Sequence, residues 1–433
     1  MKYLSLTLIM LLTLTGCGMF YDDDPCPAAD SDSVSLSFSL SSSGTLLYSR
    51  ADSQHNETSS EFRYFEDGVD MNDLAVFVFA KITGSSAPER LVYKLTNLTK
   101  SDDPRINIVG NLGNYTVEVM IRREDLKDVL GGYEITPEGD ENVSFRMLML
   151  ANCSSPGTNA EAKWNTIDGR DYPTVISQLD GWDYAMSYLY NINAANAGSN
   201  DITELYNNRK DHAPMFGNMM FDPVSEDALY YSRPENRVYL GEMYLLRALA
   251  KVKVIDNIED KDANGYPMIT SVTFLSSQDR AHQLPDDALN YQNGQQVHTP
   301  KISDPGNTIN VNNPTATYRL GIIPETWTIT PASQRKGNVF VGFAPEQQIS
   351  SLGDMPAFQI TIANRKANGT LENYVYTVPM TSYNGQQFNF GANILRNHIY
   401  TLSVNSFGQR LDLTVTLEPY RSCVLEPFFG IDR

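Results

Sequence analysis

Along residues 34–40 the chain alternates without exception, Val-Ser-Leu-Ser-Phe-Ser-Leu, so Val34, Leu36, Phe38 and Leu40 share one side of an extended backbone and serines occupy the other. A helix would spiral these residues around its axis, whereas a period of two commits them to a strand with one face turned to a core. The signal recurs in short pieces. Residues 73–80 (Asp-Leu-Ala-Val-Phe-Val-Phe-Ala) predict a buried strand, and 90–96, 105–109, 115–121 and 143–150 predict further strands separated by Gly, Asn, Asp or Pro. In the second half the same reading falls on 268–276, 315–323, 338–344, 357–363, 372–380, 398–404 and 411–418. Helical patterning is confined to 123–130 and parts of 174–190. Many short strands with few helices predict an all-β chain of two tandem Greek-key β-sandwich domains, with short helices in loops, rather than an α/β enzyme fold.

Two stretches, 154–172 and 191–237, are longer and more loop-rich than a compact domain needs between strands, and they predict inserted surface elaboration. Residues 238–258 are ambiguous. Leu245 to Lys251 are mostly helix formers, while Val252-Lys253-Val254-Ile255 returns to strand. The polar run 260–267 marks the expected boundary, with an N-terminal sandwich over 31–259 and a C-terminal sandwich over 260–433. No fixed-period repeat is present.

The first sixteen residues have another character. Lys2 precedes an apolar stretch from Leu4 to Leu14 and then Thr15-Gly16, the layout of a secretory signal and too short to span a bilayer. The junction Leu14-Thr15-Gly16-Cys17 resembles a bacterial lipobox, which implies removal of 1–16 and acylation of Cys17. Each buried methylene adds ~0.8 kcal/mol, so two or more acyl chains anchor such a protein firmly. In the tether over 17–30, the triplet Asp22-Asp23-Asp24 resembles the export signal of surface lipoproteins in Bacteroidota, implying the outer face of the cell outer membrane. It fits a plain solvated tether equally well. Cys26, Cys153 and Cys423 are odd in number for an oxidising compartment, so at most one disulfide forms among them, its pairing left open.

Composition narrows the function. With 33 basic against 52 acidic side chains the formal charge is −19, which excludes a sequence-independent grip on nucleic-acid phosphates. His55, His212, His282, His298 and His398 are scattered singly, and none forms His-Glu-x-x-His. There is no Gly-x-Ser-x-Gly elbow and no phosphate-cradling glycine loop. Carboxylates are abundant, but no pair is singled out as acid and base for glycoside hydrolysis. The expected catalytic residues, cofactors and metals are therefore none. Asp256, Asp260, Asp262 and Asn264 come nearest to a calcium loop, yet the later bidentate Glu is missing at the right spacing. Aromatic faces stack on sugars, so Trp164, Trp182, Tyr184, Tyr188 and Tyr190 support a glycan-binding surface lipoprotein as an alternative, and serve equally as packing.

The segment Ile394-Leu395-Arg396-Asn397-His398-Ile399-Tyr400-Thr401-Leu402-Ser403-Val404, followed by the alternating run 411–420, resembles the end of fimbrillins of the Bacteroidota type V pilus. In that superfamily a Leu-x-Arg-Asn-x-x-Tyr-x-x-x-Val segment leads into a last alternating strand. Residues 73–80 resemble its Leu-x-Val-Phe-Val-Phe strand, and Arg247-Ala248-Leu249-Ala250-Lys251-Val252 resembles the Arg-Ala-x-Ala-Lys segment that closes its first domain. With the lipobox and Cys26-Pro27, the resemblance spans essentially the whole mature chain. It implies a non-enzymatic subunit of two transthyretin-like sandwiches, tethered to outer-membrane lipid through Cys17 and assembled with other fimbrial subunits by strand exchange. Host or bacterial surface ligands are further implied partners.

A sandwich short of one strand presents two open edges and an apolar groove, which an extended segment of a neighbour fills. Two segments suit that exchange. Val34, Leu36, Phe38 and Leu40 would fill the groove in cis, and Leu411, Leu413, Val415 and Leu417, with 424–431, would reach into another subunit. Each is equally readable as an ordinary intramolecular strand. In stalk subunits of the family an arginine-specific protease removes the first strand; Arg50, with Ala51 as the new terminus, occupies the matching place. Cys26-Pro27 beside the lipid Cys and the long loops of the first half favour an anchor or accessory subunit, with a stalk fimbrillin second.

Overall fold

The computed structural model describes residues 32–41, 68–96, 106–111, 114–153, 164–185, 212–259, 261–275, 280–291, 318–319, 321–323, 339–347, 356–379, 382–383, 388–389 and 393–419. Its first strand, β1 (Ser33–Ser41), is the alternating serine segment. It joins β4 (Ile106–Asn111), β5 (Asn114–Arg122) and β10 (Val238–Tyr244) in a four-stranded sheet of order β10-β1-β5-β4. A six-stranded sheet faces it, built from β2 (Leu74–Ile82), β3 (Arg90–Thr96), β6 (Asn142–Ala151), β8 (Met215–Met220) and β11 (Leu246–Arg247), with β9 (Val224–Ser225) also paired to β6. The order is β11-β8-β6-β2-β3. The core between the sheets takes Val34, Leu36, Phe38, Leu40, Val117 and Val119 from one and Val76, Val78, Phe145, Met147 and Met149 from the other. This is an all-β sandwich.

The six-stranded sheet is buried on both faces, which is why β2 and β6 read as apolar runs rather than alternating ones. Ala75, Phe77, Phe79, Leu148 and Leu150 point away from the first core into another, closed by Trp164, Ile167 and a helix, α2 (Tyr172–Leu179). Asp171 caps α2 by accepting the Thr174 amide, and Tyr172, Val175, Ile176 and Leu179 form its buried stripe. The other helices are short: α1 (Arg123–Val129), which follows β5, and α3 (Glu226–Tyr230), capped by Ser225.

A second sandwich follows. Its five-stranded sheet, of order β16-β17-β12-β22-β23, consists of β12 (Leu249–Asp256), β16 (Gly321–Ile323), β17 (Val339–Pro345), β22 (His398–Ser406) and β23 (Asp412–Pro419). Its partner, of order β15-β13-β18-β19, consists of β13 (Met268–Leu275), β15 (Tyr318–Arg319), β18 (Ala357–Arg365) and β19 (Leu371–Pro379). Val252, Val254, Leu402 and Val404 meet Val272, Phe274, Ile360 and Ile362 in the core between them. Two small ribbons complete the strands: β7 (Asp183–Ala185) with β14 (Arg280–His282), and β20 (Ser382–Tyr383) with β21 (Phe388–Asn389). Among the described residues no helix is long and apolar enough to cross a membrane.

Three expectations change. The stretch 191–237 is not all surface loop, because it supplies β8, a strand between β11 and β6. β8 escapes a periodicity reading since Met215 enters one core and Phe216 the other, with Gly217 and Asn218 buried between. Likewise 164–172 is a packed cover over the six-stranded sheet, with Trp164 and Tyr172 buried. Within 245–251 the chain forms β11 and the start of β12, and no helix. β12 pairs with β17 on one side and β22 on the other.

Candidate strand-exchange site

β1 runs antiparallel to β5, from Ser33 opposite Arg122 to Ser41 opposite Asn114. On its other side it runs parallel to β10, from Leu36 opposite Val238 to Ser41 opposite Tyr244, with a register shift between Ser37 and Ser39. Neither neighbour follows it directly in the chain, so no hairpin turn ties β1 into its sheet. Val34, Leu36, Phe38 and Leu40 are essentially inaccessible, and the Phe38 ring meets Phe221 with centroids 5.7 Å apart. The serine face is less open than the alternation suggests. Ser35 is buried, its amide donating to Ser232 Oγ at 3.0 Å, while Ser232 Oγ donates to Leu229 O at 2.8 Å. Tyr239 Oη donates to Ser39 Oγ at 3.2 Å. Withdrawal of β1 leaves β5 and β10 two strand spacings apart, about 9.6 Å, a slot one strand wide above an apolar floor.

The other predicted segment is a strand in cis. β23 pairs antiparallel with β22, from His398 opposite Pro419 to Ser406 opposite Asp412, and forms the sheet edge. Leu411 and Leu413 pack half-buried on the second core. Val415 and Leu417 lie opposite the buried Leu402 and Tyr400, yet they are 59% and 53% exposed. In the other sheet β19 is the edge, and its Tyr376 and Val378 are only partly buried against the second core. Tyr376 Oη donates to Gly408 O at 2.6 Å, and the Tyr374 and Phe407 rings meet at 5.4 Å, joining β19 to the turn after β22.

Cys17, Cys26, Arg50, Ala51, Cys423 and the segment 424–431 lie outside the described residues. Cys153 is buried in the core behind the six-stranded sheet, its thiol 3.3 Å from Ala151 O. Trp164 and Tyr184 are buried and Trp182 half-buried against Trp164, ring centroids 5.0 Å apart, so these aromatics are packing rather than an exposed platform; Tyr188 and Tyr190 lie outside the described residues. Asp256 is a fold residue. Its carboxylate takes Lys261 Nζ at 3.0 Å on both oxygens and the amides of Ile258 and Ile269 at 3.1 and 3.0 Å. Asp262 accepts the amides of Tyr266 and Asn264 at 2.9 and 2.8 Å, and these bonds, the Tyr266 one foremost, hold its carboxyl below the usual range. Among the described residues no cluster of three or more His, Cys, Asp or Glu is placed to hold a metal.

The segment around Arg396 acquires a physical role. Ile394 is buried in the second core, Asn397 turns through φ 55° and donates its amide to Leu249 O at 3.0 Å, and Tyr400 Oη bridges Asn393 O and the Leu395 amide at 2.9 and 2.8 Å. Burial pushes the Tyr400 hydroxyl up to about 12. Arg396 itself is wholly buried and ion-paired with buried Glu346, its Nε 2.8 Å from Oε2. Sequence reasoning marked Arg396 but missed Glu346, which carries no local signal. It also missed Glu226, buried where it accepts Tyr133 Oη and the Thr136 amide, both at 2.8 Å.

No family model matches the chain, and no curated protein matches it. Among solved structures it is similar to the tip fimbrial protein Mfa3 from Porphyromonas gingivalis with C-terminal truncation, at 11% identity and TM-score 0.45, over 89% of this chain and 99% of that one. It is similar to a fimbrial assembly protein from Parabacteroides distasonis, at 12% identity and TM-score 0.37, over 89% and 99% of the two chains. A fimbrilin from Porphyromonas gingivalis is similar at 8% identity and TM-score 0.36, over 88% of this chain and 96% of that one.

Proposed function

We propose that the chain is a structural, non-enzymatic subunit of a cell-surface fimbria, an anchor or accessory subunit held to outer-membrane lipid through acylated Cys17 and joined to its neighbours by strand exchange. The observation that carries the reading is the state of β1. It is an inner strand with its whole apolar face in the core, yet no hairpin attaches it to either neighbour. Such a strand is removable, and the slot it vacates accepts an extended segment of another subunit through main-chain hydrogen bonds, with alternate side chains setting register. Arg50 lies in the chain between Ser41 and Gly68, so cleavage there would free β1 and is the route by which a stalk subunit would mature. The resemblance of the 394–404 segment and of 73–80 to fimbrillins points the same way. The glycan-binding alternative loses its motive at Trp164 and Tyr184, which are buried.

The test is mass spectrometry of the N-terminus of the cell-bound protein, with electron microscopy of a deletion strain. A lipid-modified Cys17 with β1 retained supports the anchor or accessory role, while Ala51 at the terminus assigns a stalk role. Unchanged fimbriae in the deletion strain, with a protein that stays monomeric beside every fimbrial subunit, would refute the proposal.

A further inference from the structure

Two sandwiches in one chain ordinarily move against each other unless the interface between them is large and apolar. Here the boundary is closed in three ways. The core of the first sandwich continues onto the outer face of the five-stranded sheet through Leu249, Val341 and Phe343. Residues 280–291 then leave the second sandwich after β13 and pass behind the six-stranded sheet as a strap. β14 pairs with β7, the Gln283 amide donates to Trp182 O at 2.9 Å, and Gln283 Nε2 donates to Cys153 O at 3.0 Å. Leu284, Ala288 and Tyr291 enter the core behind the sheet, where Tyr172 Oη donates to Ala288 O at 3.1 Å and Asn218 Nδ2 donates to Tyr291 O at 3.0 Å.

The third closure is chemical. Arg396 donates to three consecutive carbonyls of the strap, His282 at 3.0 Å and Leu284 at 2.8 Å from Nη2 and Gln283 at 3.0 Å from Nη1, while Nε and the shared Nη2 engage Glu346. Arg396 comes from the approach to β22 and Glu346 directly follows β17, so Arg396 reaches the strap while Glu346 fixes its guanidinium from behind. Only a planar guanidinium offers five donors in a fixed fork; an ammonium offers three. Both side chains are 0% exposed, so the pair cannot slip into water without unpacking the junction.

We propose that the Arg396–Glu346 pair is a latch that holds the strap 280–291 on the first sandwich, so the two sandwiches unfold as one cooperative unit and the junction carries load without hinging. This inference stands on the junction alone and is independent of the fimbrial reading.

The test is hydrogen-exchange mass spectrometry of the full chain across a denaturant series, with calorimetry. In the unaltered protein, peptides covering β1, β2 and β6 and peptides covering β13, β18 and β22 lose protection at one denaturant concentration, and the calorimetric and van't Hoff enthalpies agree. In Arg396→Lys, amides within 280–291 lose at least tenfold protection and the midpoints of the two halves separate. If that variant does not fold, Arg396→Met with Glu346→Leu replaces it, since removing both charges leaves neither orphaned. Separate transitions in the unaltered protein overturn the proposal. So does a folded variant in which strap protection and the shared midpoint are unchanged.

Discussion

Detaching β1 offers the sharpest test of the strand-exchange reasoning. A protease site placed within 42–67 cuts the chain without touching a described strand, and denaturant then strips the N-terminal piece away. Four side chains leave the core with it, Val34, Leu36, Phe38 and Leu40, all essentially inaccessible in the intact protein. At about 1.5–3 kcal/mol for each buried aliphatic or aromatic side chain the loss is about 6–12 kcal/mol. That rivals the entire stability of a typical domain, about 5–15 kcal/mol. The stripped protein should therefore lose amide protection across β5 and β10. A synthetic peptide of sequence 33–41 should restore it, followed by the same exchange signal or by fluorescence anisotropy of the labelled peptide. A Phe38→Ala peptide sacrifices about 3–5 kcal/mol, so it should bind weaker by roughly two to three and a half orders of magnitude. A Ser37→Ala peptide, altered on the half-buried outer face, should bind within a few-fold of the parent. A stripped protein that melts like the intact one would refute the argument, as would a Phe38→Ala peptide that binds as tightly as its parent.

Three further outcomes follow from the geometry. Arg396→Met alone leaves Glu346 charged and buried, so it should cost about 3–5 kcal/mol, more than the Arg396→Met, Glu346→Leu double variant, in denaturant melts. At Gly217 an added Cβ would sit 2.6 Å from Met243 Cε and 2.7 Å from Leu245 Cδ2, so Gly217→Ala should lose about 1–3 kcal/mol by overpacking, read as a lowered denaturation midpoint. Burial pushes the hydroxyls of Tyr172 and Tyr400 up to about 12, above the unfolded value of about 10. Their contribution to stability is thus complete below about pH 10 and lost as pH rises through about 12. Tyrosinate absorbance should show these two titrating late, and a folded chain in which every tyrosine ionises together near pH 10 would contradict it.

What the sequence reveals depends on how many faces of a strand are buried. β1, β5 and β22 are each covered chiefly on one face, and their alternation survives in the sequence as Val-Ser-Leu-Ser-Phe-Ser-Leu or its equivalent. β8, β11 and the start of β12 are enclosed on both faces, so they read as loop or helix; only pairing of β8 with β6 and β11, and of β12 with β17 and β22, makes them strands. The Arg396–Glu346 pair is illegible for another reason, since its ligands come from three segments far apart in the chain. The same limit applies to exchange. Alternation marks 34–40 and 411–417 alike as candidates, and periodicity alone cannot rank them. Connectivity can. β23 is joined to β22 by the short turn at 407–411, so it cannot leave its sheet without undoing a hairpin. β1 has its partners far along the chain on both sides, so it can depart with its hydrogen bonds and its apolar row as one piece. Of two segments that look equivalent as strings of residues, β1 is therefore the one the strand-exchange proposal takes as replaceable, while β23 is a sheet edge with Val415 and Leu417 exposed.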